Sequence, residues 1–132
     1  MNYYDWLNGF IAPLMRVLER ELKKGFVYDL RMAEAAAKHS DAMRRYDVND
    51  SYHAPKEFWD TAFAELVGGP SYAFHDDWAI RQEMEKIAYG FLNSPDGHRS
   101  ILERYPVIGG GIAIAQVGNG WVKIYTTLRL RY

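Results

Sequence analysis

Four histidines are the side chains of this chain most able to move protons or hold a metal: His39, His53, His75 and His98. Two of them sit in polar loops, where functional groups concentrate. His53 lies in Ser51-Tyr52-His53-Ala54-Pro55, and His98 lies in Asp96-Gly97-His98-Arg99. The spacing from His53 through Glu65 to His98 matches no metal motif of the H-E-x-x-H kind. His39 falls at helical spacing with Met32, Ala36 and Met43, which makes it a packing histidine. His75 precedes Asp76-Asp77 at a helix start and reads as a solvated neighbour of the cap. No serine stands in a G-x-S-x-G elbow. The absence of cysteine removes disulfides, thiolate metal sites and a cysteine nucleophile. Gly68-Gly69-Pro70 and Gly109-Gly110-Gly111 lack the lysine and hydroxyl of a phosphate loop and read as turns or bends. Arg129 and Arg131 could meet anions, but a solvated sheet face accounts for both.

The elements that must position these residues divide into helices first and strands last, the order of an α+β fold. Leu14, Val17, Leu18 and Leu22 predict a helix over Leu14–Lys24 that stops at Gly25. Asp29 caps a second helix running to about Arg45. Asp47–Pro55 reads as a loop, Lys56–Val67 as a short helix ended by Gly68-Gly69-Pro70, and Asp76–Asn93 as a longer helix. Ser94-Pro95-Asp96-Gly97 turns the chain into a short helix over His98–Arg104. The end predicts a hairpin: Ile112–Val117, a Gly118-Asn119-Gly120 turn, and an alternating Trp121–Tyr132. Val122, Ile124, Thr126, Leu128 and Leu130 point to a buried face; Lys123, Tyr125, Thr127, Arg129 and Arg131 point to a solvated one.

The length of 132 residues fits one domain spanning residues 1–132, large enough to bury a core without staples. The aromatic share of 15% points to a core built on large rings. A net charge of −1 supplies no basic field, so nucleic acid is not an expected partner. No run reaches the roughly 18 apolar residues of a membrane span. The start, MNYYDWLNGFIAPLM, has an early acid, no basic flank and an internal proline, and does not read as a signal peptide.

The stretch FLNSPDGHRSILERYPVIGGGIAIAQVGNGWVKIYTTLRLRY resembles the C-terminal half of bacterial CAP-superfamily (SCP-like) domains, the group of cysteine-rich secretory, antigen-5 and pathogenesis-related proteins. Phe91 to Ser94 resembles the helix end W-x-x-S, Gly97-His98-Arg99 the G-H-R turn, and Ile108 to Ile112 the strand entry. Upstream, Phe63 to Gly69 resembles the G-E-N-I-a segment, and Leu30 to Met43 resembles a helix of pattern L-x-x-x-A-x-x-h-s-x-x-M. Phe91 stands in place of the usual tryptophan and Leu66 in place of asparagine. An ungapped alignment puts Gly97 at the histidine position. A glycine turn that delivers the next residue to a helix start favours His98 there.

The resemblance implies an α-β-α sandwich around a small antiparallel sheet. It also implies a cleft holding His53, Glu65 and His98, with the second family glutamate replaced by Ser94. These four are the ligand-binding candidates, and His53, His98 and Glu65 would be the ligands of a divalent cation such as zinc. Members are usually secreted and are described as binding lipids, sterols or protein partners. The expected function is therefore a binding module. Tyr52, Trp59, Tyr72, Phe74 and Trp78 could line an apolar groove, although such rings are more often core. The alternatives are a metal-assisted hydrolase, with the cation activating water, and a structural domain with a relic cleft.

Overall fold

A computed structural model describes residues 3–47, 53 and 62–132. Short helix α1 (Tyr3–Gly9) leads into α2 (Ile11–Leu22), which buries Ile11, Pro13, Leu14, Val17 and Leu18. The α2 helix ends at Lys23, which adopts the left-handed conformation expected of Gly25. Lys24 then reaches the carbonyls of Leu102, Glu103 and Tyr105, placing a cation on the C-terminal end of α5 (His98–Arg104). Strand β1 (Val27–Tyr28) precedes α3 (Leu30–Tyr46), whose cap is Asp29 accepting from the Met32 amide at 3.0 Å. Strand β2 (Ala64–Phe74), helix α4 (Asp77–Leu92) and the α5 helix follow, and the chain closes with β3 (Val107–Gly118) and β4 (Trp121–Arg131).

The four strands lie in the order β1-β3-β4-β2. The β2–β4 and β3–β4 pairs are antiparallel, and the two-residue β1 adds to β3 in parallel. One face of the sheet carries α2, α4 and α5 over a core that includes Leu66, Ile108, Ile112, Ile124, Leu128 and Leu130. The other carries α3, with Met43, Val67 and Tyr125 as a second small core. The architecture is α+β, helices on both faces of a small sheet. Among the described residues, no helix is long and apolar enough to cross a membrane.

Three expectations fail, two of them because the sheet is buried on both faces. The helix expected over Lys56–Val67 is strand from Ala64 onward; residues 56–61 lie outside the described residues. In β2, Ala64 and Leu66 feed the larger core while Glu65 and Val67 are buried toward α3, so the strand lacks two-residue alternation. Gly68-Gly69-Pro70 does not stop a helix; it forms an irregularity within β2, where the register shifts between Gly68 and Ser71. The hairpin face expected to be solvated is also covered, for Tyr125, Thr127 and Arg129 are buried beneath α3.

The triple glycine explains how α3 sits so close. It lies inside β3, which begins at Val107 and not at Ile112. A Cβ on Gly109 would collide with the backbone of Met32 and Ala33, and one on Gly111 with that of Ala37. These glycines admit a helix backbone onto the strand; together with Ala33 and Ala37 they form the contact.

Candidate functional site

The cross-strand register places Glu65 directly opposite Arg129, both pointing toward α3. Arg129 Nε donates to Glu65 Oε2 at 3.0 Å, and its Nη2 lies 2.9 Å from the same oxygen. Arginine and glutamate are 2% and 5% exposed. Two charges taken out of water at several kcal/mol each persist only where each satisfies the other. The second carboxylate oxygen, Oε1, lies 3.1 Å from His53 Nδ1 and 3.8 Å from His39 Nε2. His39 reaches it from the buried face of α3. At the next position of α3, the Ser40 hydroxyl donates to the Gly111 carbonyl at 2.8 Å and lies 2.9 Å from Thr127 Oγ1. Toward the end of α3, Tyr125 donates to Asp47 at 2.6 Å, and Lys123 lies 3.0 Å from the same oxygen. Burial and the Asp47 carboxylate push the Tyr125 hydroxyl up to about 12. Asp47 is held below the ordinary carboxylate range by the Tyr125 and Lys123 hydrogen bonds.

Within this cluster His53 is the way out to solvent, its side chain 45% exposed against none for Glu65. A carboxylate paired with arginine can only accept, so His53 Nδ1 carries the proton of that hydrogen bond. The ring is thereby oriented, and Nε2 keeps a lone pair for a ligand, a proton or an ion.

The sequence candidates separate onto the two faces of the sheet. His53 and Glu65 meet on the α3 side. His98 opens α5 on the opposite side, its ring 5.7 Å from Phe91, and Phe91 packs over Gly68, where a Cβ would lie 3.1 Å from the phenyl ring. Ser94 shares with His98 a hollow of about 280 Å³ that Glu83, Lys86 and Asp96 also line. The resemblance-derived cation set of His53, His98 and Glu65 does not fit an ion, because a sheet divides it and Arg129 occupies the carboxylate. Among the described residues, no group of three or more His, Asp or Glu is arranged for a metal.

Sequence reasoning missed two members of the cluster. His39 was expected only to pack, yet its ring reaches Glu65. Arg129 was assigned to a solvated face and is among the most buried polar residues. The signal available was Glu65, the one charged residue of the AELVGGPSYAF stretch, which needs a basic partner if it is buried. His75 stays exposed as expected, edge-on to Trp6 at 6.1 Å.

A separate groove of about 1220 Å³ runs between α1, α2 and α3 along β3. Of the aromatics considered for a groove, Tyr72, Phe74 and Trp78 do not line it. Tyr72, Phe74 and Trp78 are exposed, with Phe74 stacked on Trp121 at 4.1 Å; Tyr52 and Trp59 lie outside the described residues.

No protein-family model matches the chain, and no curated protein matches it. Solved structures do. An outer surface protein of Borrelia burgdorferi superposes with a TM-score of 0.57 at 12% identity, covering 99% of this chain and 96% of its own. An extracellular protein of Bacillus anthracis containing an SCP domain superposes with a TM-score of 0.54 at 20% identity, covering 95% of this chain. This chain spans 41% of that Bacillus protein. At these identities the likeness is one of fold, and the fold is CAP-like.

Proposed function

We propose that this chain is a CAP-like binding module that presents His53 to a small ligand with an acidic or hydrogen-bonding head group, a fatty acid being the class to test. The observation that carries this reading is the His53–Glu65 hydrogen bond. It fixes the ring and turns Nε2 toward whatever docks there. His39 and Arg129 lie behind the carboxylate, so the Glu65 charge is already partnered and leaves the exposed His53 edge open to a hydrogen-bonding head group. His98 and Ser94, though suggested as co-ligands by the resemblance, belong to the other hollow and are left out of this site.

The test follows the histidine ring protons by NMR while dodecanoate is added. A saturable shift of the His53 signals, lost in His53→Ala, supports the reading. Movement of the His98 signals alone would transfer the ligand to the opposite hollow and sink it. A second reading, hydrolysis, draws on the same pair, since an imidazole backed by a carboxylate is the geometry of a general base. Ester turnover abolished by His53→Ala would favour it.

A further inference from the structure

The outer edge of β3 is only partly paired. Val27 donates to the Pro106 carbonyl and Asp29 to that of Ile108, each at 2.9 Å. The even-numbered residues therefore turn their backbone groups outward, and the odd-numbered ones pair with β4. Beyond Ile108 the chain leaves β1 for α3, and the Tyr28 hydroxyl takes over. It donates to the Gly110 carbonyl at 2.9 Å and lies 3.2 Å from the Gly110 amide, standing in for one peptide unit of a neighbouring strand. Register with β4 continues unbroken to Gln116, so the amides and carbonyls of Ile112 and Ile114 face the same edge. Among the described residues, no backbone group pairs with them. Both residues line the groove of about 1220 Å³.

We propose that this groove is a strand-addition site: an extended peptide segment of a partner protein pairs with the β3 edge at Ile112 and Ile114, in the line that β1 abandons at Tyr28. Backbone pairing decides the class of occupant. A lipid tail filling the groove would leave four strong hydrogen-bonding groups without partners. A peptide strand supplies the matching donors and acceptors at the spacing the edge requires. The walls specify its side chains. Leu7, Ile11 and Met15 line the wall on the α1/α2 side; Glu34, Lys38 and Asp41 line the α3 wall. An added strand points successive side chains to opposite faces, so the favoured segment alternates apolar residues toward α2 with polar ones toward α3. The site is distinct from His53, which lies with Glu65 near the far edge strand, β2.

The first measurement is amide hydrogen exchange on the free protein. The Ile112 and Ile114 amides should exchange at least tenfold faster than that of Ala113, which faces β4. Equal protection would mean that the edge is already covered and would overturn the proposal. The second is an NMR titration with an acetylated, amidated peptide of seven alternating Val and Thr residues flanked by lysines, carried to millimolar concentration. Saturable shifts at Ile112 and Ile114 are expected, with at least tenfold weaker binding when the peptide is N-methylated at its valine amides. Ala12→Trp, an exposed position on the α2 wall, should abolish the shifts while leaving the fold intact. Absence of any shift, or equal binding of the N-methylated peptide, refutes strand pairing. Dodecanoate shifting these amides where the peptide does not would make the groove a lipid site.

Discussion

The two faces of the sheet are equally deep and chemically opposite. Toward α2 and α4 the strands present Leu66, Ile108, Ile124, Leu128 and Leu130, all fully or nearly fully buried among apolar side chains. Toward α3, adjacent positions on the same strands present Glu65, Thr127 and Arg129, equally removed from water. The first face adheres mainly through buried apolar area. The second depends on each polar group finding its partner, and on glycine and alanine letting the helix approach. A fold that needed only stability would make both faces like the first, since well-packed apolar residues often replace a buried ion pair without loss. Retaining polar groups beneath α3 fits a face that serves the exposed His53.

The largest expected effect comes from breaking the second face at its pair. Glu65→Gln leaves Arg129 as an uncompensated buried charge and should destabilise by about 3–5 kcal/mol. Glu65→Leu combined with Arg129→Met removes both charges and should recover most of that loss in urea denaturation. If the single variant unfolds at the wild-type midpoint, the pair is not buried as described. If the double variant is no better than the single one, packing and not charge dominates beneath α3.

The matching change on the first face is Leu128→Ala, one residue from Arg129 on the same strand. Losing those methyl groups should cost about 3 kcal/mol, a transfer loss plus a cavity. Unlike the Glu65 variant it has no charge partner to restore it, and its effect should be independent of salt. A salt-dependent loss would show that the two faces are coupled through β4.

The first face was legible in the sequence and the second was not, for a physical reason. Val122, Ile124, Leu128 and Leu130 alternate with polar residues, and alternation is the mark of a strand with one side dry. The same alternation assigned Lys123, Tyr125, Thr127, Arg129 and Arg131 to water, because nothing local says that a helix will cover them. Helices α3, α4 and α5 were readable from the caps Asp29 and Asp76 and from the Asp96-Gly97 turn. The β2 strand was not, since Ala64-Glu65-Leu66-Val67 is buried on both sides and has no period to find. The triple glycine reads locally as a bend; its role as a seat for Ala33 and Ala37 exists only once α3 is in place. Of the candidate site, His53 with Glu65 was legible through resemblance. His39 and Arg129 were not, because their place there depends on register between elements far apart in sequence.

The smallest effect at neutral pH, and the finest probe of the α3 face, is Tyr125→Phe. Its hydroxyl donates to Asp47, a carboxylate exposed enough to regain water when the phenol is removed. The variant should therefore lose little at pH 7. At high pH the two proteins should differ in another way. The Tyr125 hydroxyl is raised from 10.0 to about 12 in the folded protein, so the unfolded chain releases that proton first. Its contribution to stability is fully present below pH 10 and disappears as pH rises through about 12. Thermal melts between pH 9 and pH 12 should show the wild type losing stability more steeply than Tyr125→Phe. Parallel curves would mean that Tyr125 ionises as readily in the folded protein as in the unfolded chain. The α3 face would then be wetter at this end than at Glu65, and the contrast between the two faces would hold only for the half of the sheet nearest His39.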